Sequence, residues 1–238
     1  MRRVPHPCSD HRRTRSGVAG ITDPIITGFA ELRCPGGFRV ILADPPWSFA
    51  NYSTKGEEKN PNQHYDCVDE DDLRQLPVEL LAANDCALFI WCTWPLQPIW
   101  QSVIEAWGFT YAGLAWEWWK YNPDTGKYAF GPGYGTRKNL EPCLLATRGN
   151  PHLKSELPGD LFGMGCVPEG VRSVRDWMEW WPDDEIRATR REHSRKPDEQ
   201  YDRIETLFDG PYLELFARQR RHGWSVWGNQ VGKFGGAS

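Results

Sequence analysis

Nothing in these 238 residues approaches the roughly 18 uninterrupted apolar positions of a membrane span. The first twenty residues are basic, but no apolar stretch follows them, so neither a membrane protein nor a secretory signal is expected. No two cysteines have CxxC spacing; the seven, at 8, 34, 67, 86, 92, 143 and 166, are odd in number and several fall inside strand-like runs. That pattern reads as reduced, mostly buried thiols of a cytoplasmic protein rather than as a disulfide framework. The six histidines show neither HxxxH nor HExxH, so spacing proposes no metal site. Excess positive charge is missing too. The net charge of -4 excludes nucleic-acid binding through the field of the whole chain and leaves local patches as the route.

What is abundant is tryptophan, with 13 residues. Core packing accounts for most of these rings and a stacking surface for the remainder. Hydrophobic residues at 39% and charged residues at 25% describe an ordinary globular chain of one domain. Residues 1–28, rich in Arg, Pro, Ser and His with Arg12, Arg13 and Arg15 close together, read as a disordered basic arm, and 29–238 as the single domain.

Periodicity predicts an α/β protein with a largely parallel sheet. A β-branched run at 38–43 halts at Asp44-Pro45-Pro46, where two prolines remove two ladder donors and force the chain out of the sheet. A long polar loop (48–63) follows, then a helix opened by acidic residues 69–72 and continuing through Leu73, Leu76 and Leu80. A strand at 87–91, a helix over 97–107 ended by Gly108, and strands at 114–121 and 142–147 come next. A Gly- and Tyr-rich loop separates the last two, and 148–183 cannot be read by periodicity. A strand at 186–191 precedes a polar turn. Pro197 then opens a helix with Tyr201, Ile204 and Phe208 on one face, and strands at 212–217 and 225–227 close the chain.

The sharpest local signal is Asp44-Pro45-Pro46-Trp47 at the end of an apolar strand, where open α/β sheets bind ligands. An exocyclic aromatic amine is a poor nucleophile because its lone pair is delocalised into the ring. A carboxylate and a backbone carbonyl that accept its hydrogen bonds stabilise the positive charge developing on nitrogen during attack. The bland alternative is a strand ending in a Pro-rich turn with a packed Trp.

Several further segments share a pattern. Asp44-Pro45-Pro46-Trp47, His193-Ser194-Arg195-Lys196-Pro197-Asp198, the run from Leu213 to Arg218 followed by Gly223-Trp224 and Gly228-Asn229-Gln230, and Thr136-Arg137 with Asn139 and Glu141 occur in one order across about residues 36–232. Together they resemble the adenine-N6 methyltransferases related to the catalytic subunit of the eukaryotic mRNA adenosine methyltransferase, a family with many bacterial and phage members.

The resemblance implies a Rossmann-like, S-adenosylmethionine-dependent methyltransferase sheet with permuted motif order, the catalytic motif first and the cofactor strands last. It implies S-adenosylmethionine as donor and adenine N6 in nucleic acid as acceptor, with no metal. Asp44 and Pro45 would hold the amine, with Pro46 and Trp47 shaping the base pocket. Asp44, Lys196, Phe216, Arg218, Asn229 and Gln230 would meet the cofactor. Tyr52, Lys55, Arg137, Lys138, Asn139 and Glu141 would meet the substrate. Apart from the resemblance, the Asn, Lys, Tyr and Gly content of the loops 48–63 and 122–139 suggests that they close over a flipped-out target nucleotide.

Read without the family, Lys196 is a cation before a helix start that suits a carboxylate, or an exposed lysine at a cap. Asn229 and Gln230 suit a diol or merely form a turn. Arg218 is a pocket arginine or part of a surface cluster with Arg220 and Arg221. Glu141 contacts the nucleotide or pairs with Arg137. The chain lacks GxGxxG, and it has no clear acidic partner for the cofactor's adenine before Phe38, Asp23 and Glu31 being candidates by location only. The compact chain favours DNA over RNA as substrate. A catalytically silent nucleic-acid-binding relative and a methyltransferase acting on protein glutamine or a small molecule are the rivals. A homo- or hetero-oligomer is left open.

Overall fold

A computed structural model describes residues 28–47 apart from 30 and 33, 69–131, 137–154, 184–234 apart from 193, and the isolated positions 173 and 176. The basic arm, the loop 48–63 with Tyr52 and Lys55, and most of 148–183 lie outside the described residues.

One sheet of seven strands runs through these residues: β1 (Phe38–Ala43), β2 (Ala82–Trp91), β3 (Thr110–Tyr121), β4 (Leu140–Arg148), β5 (Glu185–Thr189), β6 (Tyr212–Leu215) and β7 (Trp224–Trp227). The strand order is β5-β3-β4-β2-β1-β6-β7. β4 pairs antiparallel with both β2 and β3, while every other pairing is parallel, so β4 alone runs against the rest. The expected α/β class and largely parallel sheet are what the structure has.

A central parallel strand is covered on both faces and therefore has no polar face. β1 shows this: Val40 and Leu42 enter a core with Phe89, Trp116, Ile186 and Ile204, while Ile41 and Ala43 enter a second core with Leu88, Ile104 and Trp107. The helices α1 (Glu70–Gln75) and α2 (Gln97–Ala106) cover the second face, and α3 (Glu199–Leu207) covers the first. Most of the tryptophan excess is core, as expected: Trp47, Trp91, Trp100, Trp107, Trp116, Trp118 and Trp224 are all buried.

β2 and β3 begin four to five residues earlier than the pattern reading, β5 ends two residues earlier, and two further boundaries differ for local reasons. The helix opened by Asp69, whose carboxylate accepts from the Asp71 N–H, stops at Gln75. Pro77 holds Leu76 in an extended conformation, so the expected Leu73-Leu76-Leu80 stripe is broken and Leu80 is left 78% exposed. β6 stops at Leu215 rather than 217 because Phe216 takes φ 61°, a left-handed value that ends any strand.

Candidate active site

The chain's strongest motif sits where the sheet topology reverses. β1 is followed by β2 on one side, while its other neighbour, β6, leads outward to β7. Ala43 is in register with Leu215, so Asp44 and Phe216 leave the sheet side by side. Such a crevice, beyond the carboxyl ends of diverging strands, is the usual ligand site of an open α/β sheet. β4 runs the other way, and this brings its first residues, Leu140 and Glu141, to the same edge.

The turn after Asp44 is built by its own residues. The Trp47 N–H donates to the Pro45 carbonyl (2.8 Å) and the Trp47 indole N–H donates to the Trp91 carbonyl (2.8 Å). A carbonyl has two lone pairs, so Pro45 keeps one. Trp47 itself is 6% exposed and packed in the core. So enclosed, its ring has little surface left to stack on a planar base.

Five charged side chains meet above this turn. Asp44 Oδ1 accepts from Lys196 Nζ at 2.8 Å, and Asp44 Oδ2 accepts a short bond from Arg218. Lys196 Nζ also lies 2.9 Å from Glu141 Oε1, and Lys120 Nζ lies 2.5 Å from Glu141 Oε2. Lys196 thus bridges two carboxylates, with a side chain only 3% exposed and its Nζ 5.4 Å from the Trp91 ring centre. Burial pushes the Glu141 carboxyl upward, but Lys196 and Lys120 outweigh it and hold the group down at about 2. Burial would lower Lys196, yet Asp44 and Glu141 raise it above the usual lysine value. Arg218 is further fixed by donating to the Ser194 carbonyl at 2.6 Å. Ser194 and Phe216, with φ 59° and 61°, both hold left-handed backbone conformations that cost energy for residues other than glycine. The two strained positions flank the paired cations.

Asp44, Lys196 and Arg218 line a narrow cleft together with Trp91, Tyr201 and Glu214. Two convergent cations suit a carboxylate presented at its mouth. Glu214 is buried at its floor and accepts from the Tyr201 hydroxyl at 3.1 Å. Burial pushes its carboxyl up to about 7; nearby Asp44 adds to the rise, while Tyr201, Arg218 and Arg221 oppose it. The folded protein therefore binds a proton here that the unfolded chain has already released above the ordinary carboxylate range. Its stability falls as pH climbs from about 4.5 through 7, by at most about 3 kcal/mol. Glu214→Gln should flatten that fall and unfold at higher denaturant than the parent near pH 8.5. Identical pH slopes for the two proteins would contradict this.

The other expected site residues are distributed less simply. Arg218 reaches the cleft, whereas Arg221 turns away to Asp202 and Glu205. Glu141 does not pair with Arg137, whose guanidinium lies 5.8 Å from the Phe130 ring centre. Instead the antiparallel register sets Glu141 opposite Trp118, on the face that Lys120 shares. The Asn139 carboxamide accepts from the Lys120 N–H at 2.9 Å and so pins β3 to β4. Lys138 is exposed on the hairpin. Phe216 packs edge-on against Trp227, and Asn229 and Gln230 stand on the turn after β7. That turn is tied to Arg218, whose carbonyl accepts from Gly232 and Phe234. A Cβ on Gly228 would lie 2.5 Å from the Ala217 carbonyl oxygen, which is why the turn can close there only on glycine. Neither Phe216, Asn229 nor Gln230 is among the residues lining the cleft.

Lys120 and Glu214 escaped the sequence reading. Period-two alternation from Trp116 and Trp118 places Lys120 on an inward face, a charge where an apolar side chain is expected. Glu214 stands between two leucines in a strand buried on both faces. Glu214 is a buried charge and Lys120 a half-buried one on an otherwise apolar face, and charges in such places mark functional sites.

The MT-A70 family model matches residues 38–230. The chain is 29% identical over 210 residues to the Type II methyltransferase M.MunI of a Mycoplasma species, a match covering 82% of this chain and 78% of that protein. It is 30% identical over 207 residues to the human N(6)-adenine-specific methyltransferase METTL4, covering 83% of this chain and 38% of that one. It is 28% identical over 211 residues to the human N(6)-adenosine-methyltransferase catalytic subunit METTL3, covering 85% and 30% respectively. The chain thus spans most of M.MunI but well under half of either human relative.

Proposed function

The chain belongs to the MT-A70 family, and on that premise we propose that it transfers the methyl group of S-adenosylmethionine to the exocyclic N6 of adenine in nucleic acid, with DNA the favoured substrate. The observation that carries this reading is the Asp44 carboxylate, presented by a Pro-rich turn at the β1/β6 crevice and gripped by Lys196 and Arg218.

The donor set fits the cofactor. Lys196 and Arg218 are two convergent cations for the methionine carboxylate, and Phe216, Asn229 and Gln230 stand on the segments that follow β6 and β7 beside them. S-adenosylmethionine, when bound, supplies an electrophilic methyl group. The work of the chain is to hold the acceptor. An ionised carboxylate has about four acceptor sites; two of Asp44's are used by Lys196 and Arg218, which leaves two for N–H groups of the adenine amine. The free lone pair of Pro45 offers another. These acceptors are fixed before reaction, so they stabilise the charge that develops on nitrogen without reorganising. After transfer the methylated amine is acidic enough to lose its proton to Asp44 or to water, so no strong base is needed.

DNA is favoured because the Type II methyltransferase M.MunI is matched over most of its own length. The expectation is tested by incubating the protein with labelled S-adenosylmethionine and matched DNA and RNA oligonucleotides, each single- and double-stranded. Label should accumulate in DNA at least tenfold faster than in RNA. Faster labelling of RNA would reverse the assignment.

A further inference from the structure

The hairpin that delivers Glu141 to the site carries a group of aromatic rings that the mechanism does not use. Apart from Lys120, which is paired with Glu141 on the other face, the chain between Trp119 and Leu140 holds Lys127, Arg137 and Lys138 against a single carboxylate, Asp124, although the whole protein is acidic. Trp119 pairs in register with Leu140, the residue before Glu141. Strand alternation turns Trp119 and Tyr121 to the face opposite Glu141. A second extended segment lies against them: Tyr121 bridges Tyr128, the Ala129 N–H donates to the Lys120 carbonyl at 2.8 Å, and Gly131 bridges Lys138. Ala129 is buried beneath, and its neighbours Tyr128 and Phe130 point outward, 42% and 51% exposed.

The rings form a connected set. Tyr128 lies 4.9 Å from Tyr121, 5.8 Å from Trp119 and 6.2 Å from Phe130, centre to centre. Cations edge it: Arg137 lies 5.8 Å from the centre of Phe130 and Arg187 6.0 Å from that of Trp119. The tip is held by its own bonds, with the Asn122 carboxamide accepting from Asp124 (2.8 Å) and Thr125 (3.3 Å) and the Asn122 N–H donating to the Lys127 carbonyl at 2.8 Å. The surface is therefore ready-formed.

Exposed aromatic rings edged by Lys and Arg are what a single-stranded nucleic acid binds, the bases stacking on the rings and the phosphates meeting the cations. We propose that Tyr128 and Phe130, with Trp119 and Tyr121 behind them, form a stacking platform for unpaired nucleotides flanking the target adenine. The inference rests on the nucleic-acid methyl transfer proposed above and adds to it a substrate class, strand segments with unstacked bases, and the residues that hold them. A second copy of this chain is the competing occupant. A second copy seated through the same patch would set Lys127, Arg137 and Lys138 against their own like charges, whereas a polyanion meets them with opposite charge.

The test compares the parent protein with Tyr128→Ala/Phe130→Ala and with Tyr128→Trp/Phe130→Trp, using a short single-stranded oligodeoxynucleotide carrying one adenine, and the same strand in a duplex. Anisotropy should show the alanine pair binding the single strand about ten- to a hundredfold more weakly, with duplex binding less affected and S-adenosylmethionine affinity unchanged. The tryptophan pair should bind as the parent does. The slope of log affinity against log salt should stay that of the parent, because no phosphate contact is removed. Unweakened single-strand binding, an equal loss for the duplex, or a lower sedimenting mass in the alanine pair would overturn the proposal, the last by showing a second copy seated there. A parent that binds through these rings yet methylates no strand would refute the proposed activity and leave the platform standing.

Discussion

Asp44→Asn is expected to lower methyl transfer by at least about a hundred- to a thousandfold, the cost typical of removing one prearranged electrostatic group from a transition state. The variant keeps the size of the side chain and one carbonyl oxygen, but replaces the other acceptor with an N–H₂ donor that faces either the cations or the adenine amine. Facing the amine, the N–H₂ removes acceptance where charge develops on nitrogen; facing the cations, it sets donor against donor and leaves the amine a neutral carbonyl in place of a carboxylate. Lys196 and Arg218 are still present, held by Glu141 at 2.9 Å and by the Ser194 carbonyl at 2.6 Å. Affinity for S-adenosylmethionine should therefore stay within several-fold of the parent. Single-turnover transfer and equilibrium dialysis separate the two quantities. Substantial turnover in Asp44→Asn would remove Asp44 from the chemistry.

Lys196→Met should cost about 3–5 kcal/mol of stability, because it removes the cation that bridges two carboxylates within the protein. Arg218 still answers Asp44 and Lys120 still answers Glu141, so the chain should fold, at a lower melting temperature. The pH dependence identifies the cause. Glu141 is held down at about 2, so its contribution is fully present above the ordinary carboxylate range near 4.5 and is lost as pH falls through 2. Without Lys196 much of that contribution is absent at pH 7, and the gap between variant and parent should narrow below pH 4. A double-mutant cycle with Glu141→Gln should show the two substitutions to be strongly non-additive. A constant gap at all pH values, with additive effects, would mean that Lys196 contributes only its packing. The same variant should bind S-adenosylmethionine poorly, since one of two cations for its carboxylate is gone.

How far the sequence reaches depends on whether a residue's role is local or made by topology. Asp44 was legible because an apolar strand, two prolines and a carboxylate stand consecutively, and each constrains the backbone by itself. Lys196 and Arg218 were legible because their motifs end and begin regular elements. For Trp47 the packed alternative is the one the structure has, and only the parallel packing of β1 beside β2 shows the indole donating to the Trp91 carbonyl and buried in the core. Glu141 was expected at the nucleotide or on Arg137. Its pairing with Lys120 and Lys196 depends on β4 running against its neighbours β2 and β3, a property of the sheet that no local pattern records. The Leu73-Leu76-Leu80 stripe failed for a readable reason, the proline at 77 in its path.

The central claim is that the group methylated is the amine of adenine, held at Asp44. The most direct measurement gives the protein labelled S-adenosylmethionine and an oligodeoxynucleotide with a single adenine, then digests the product to nucleosides and identifies the labelled one. All label should appear in N6-methyladenine, and none should transfer when that adenine is replaced by purine lacking the amino group. Label on cytosine, on protein glutamine, or on the strand without the amine would contradict the account.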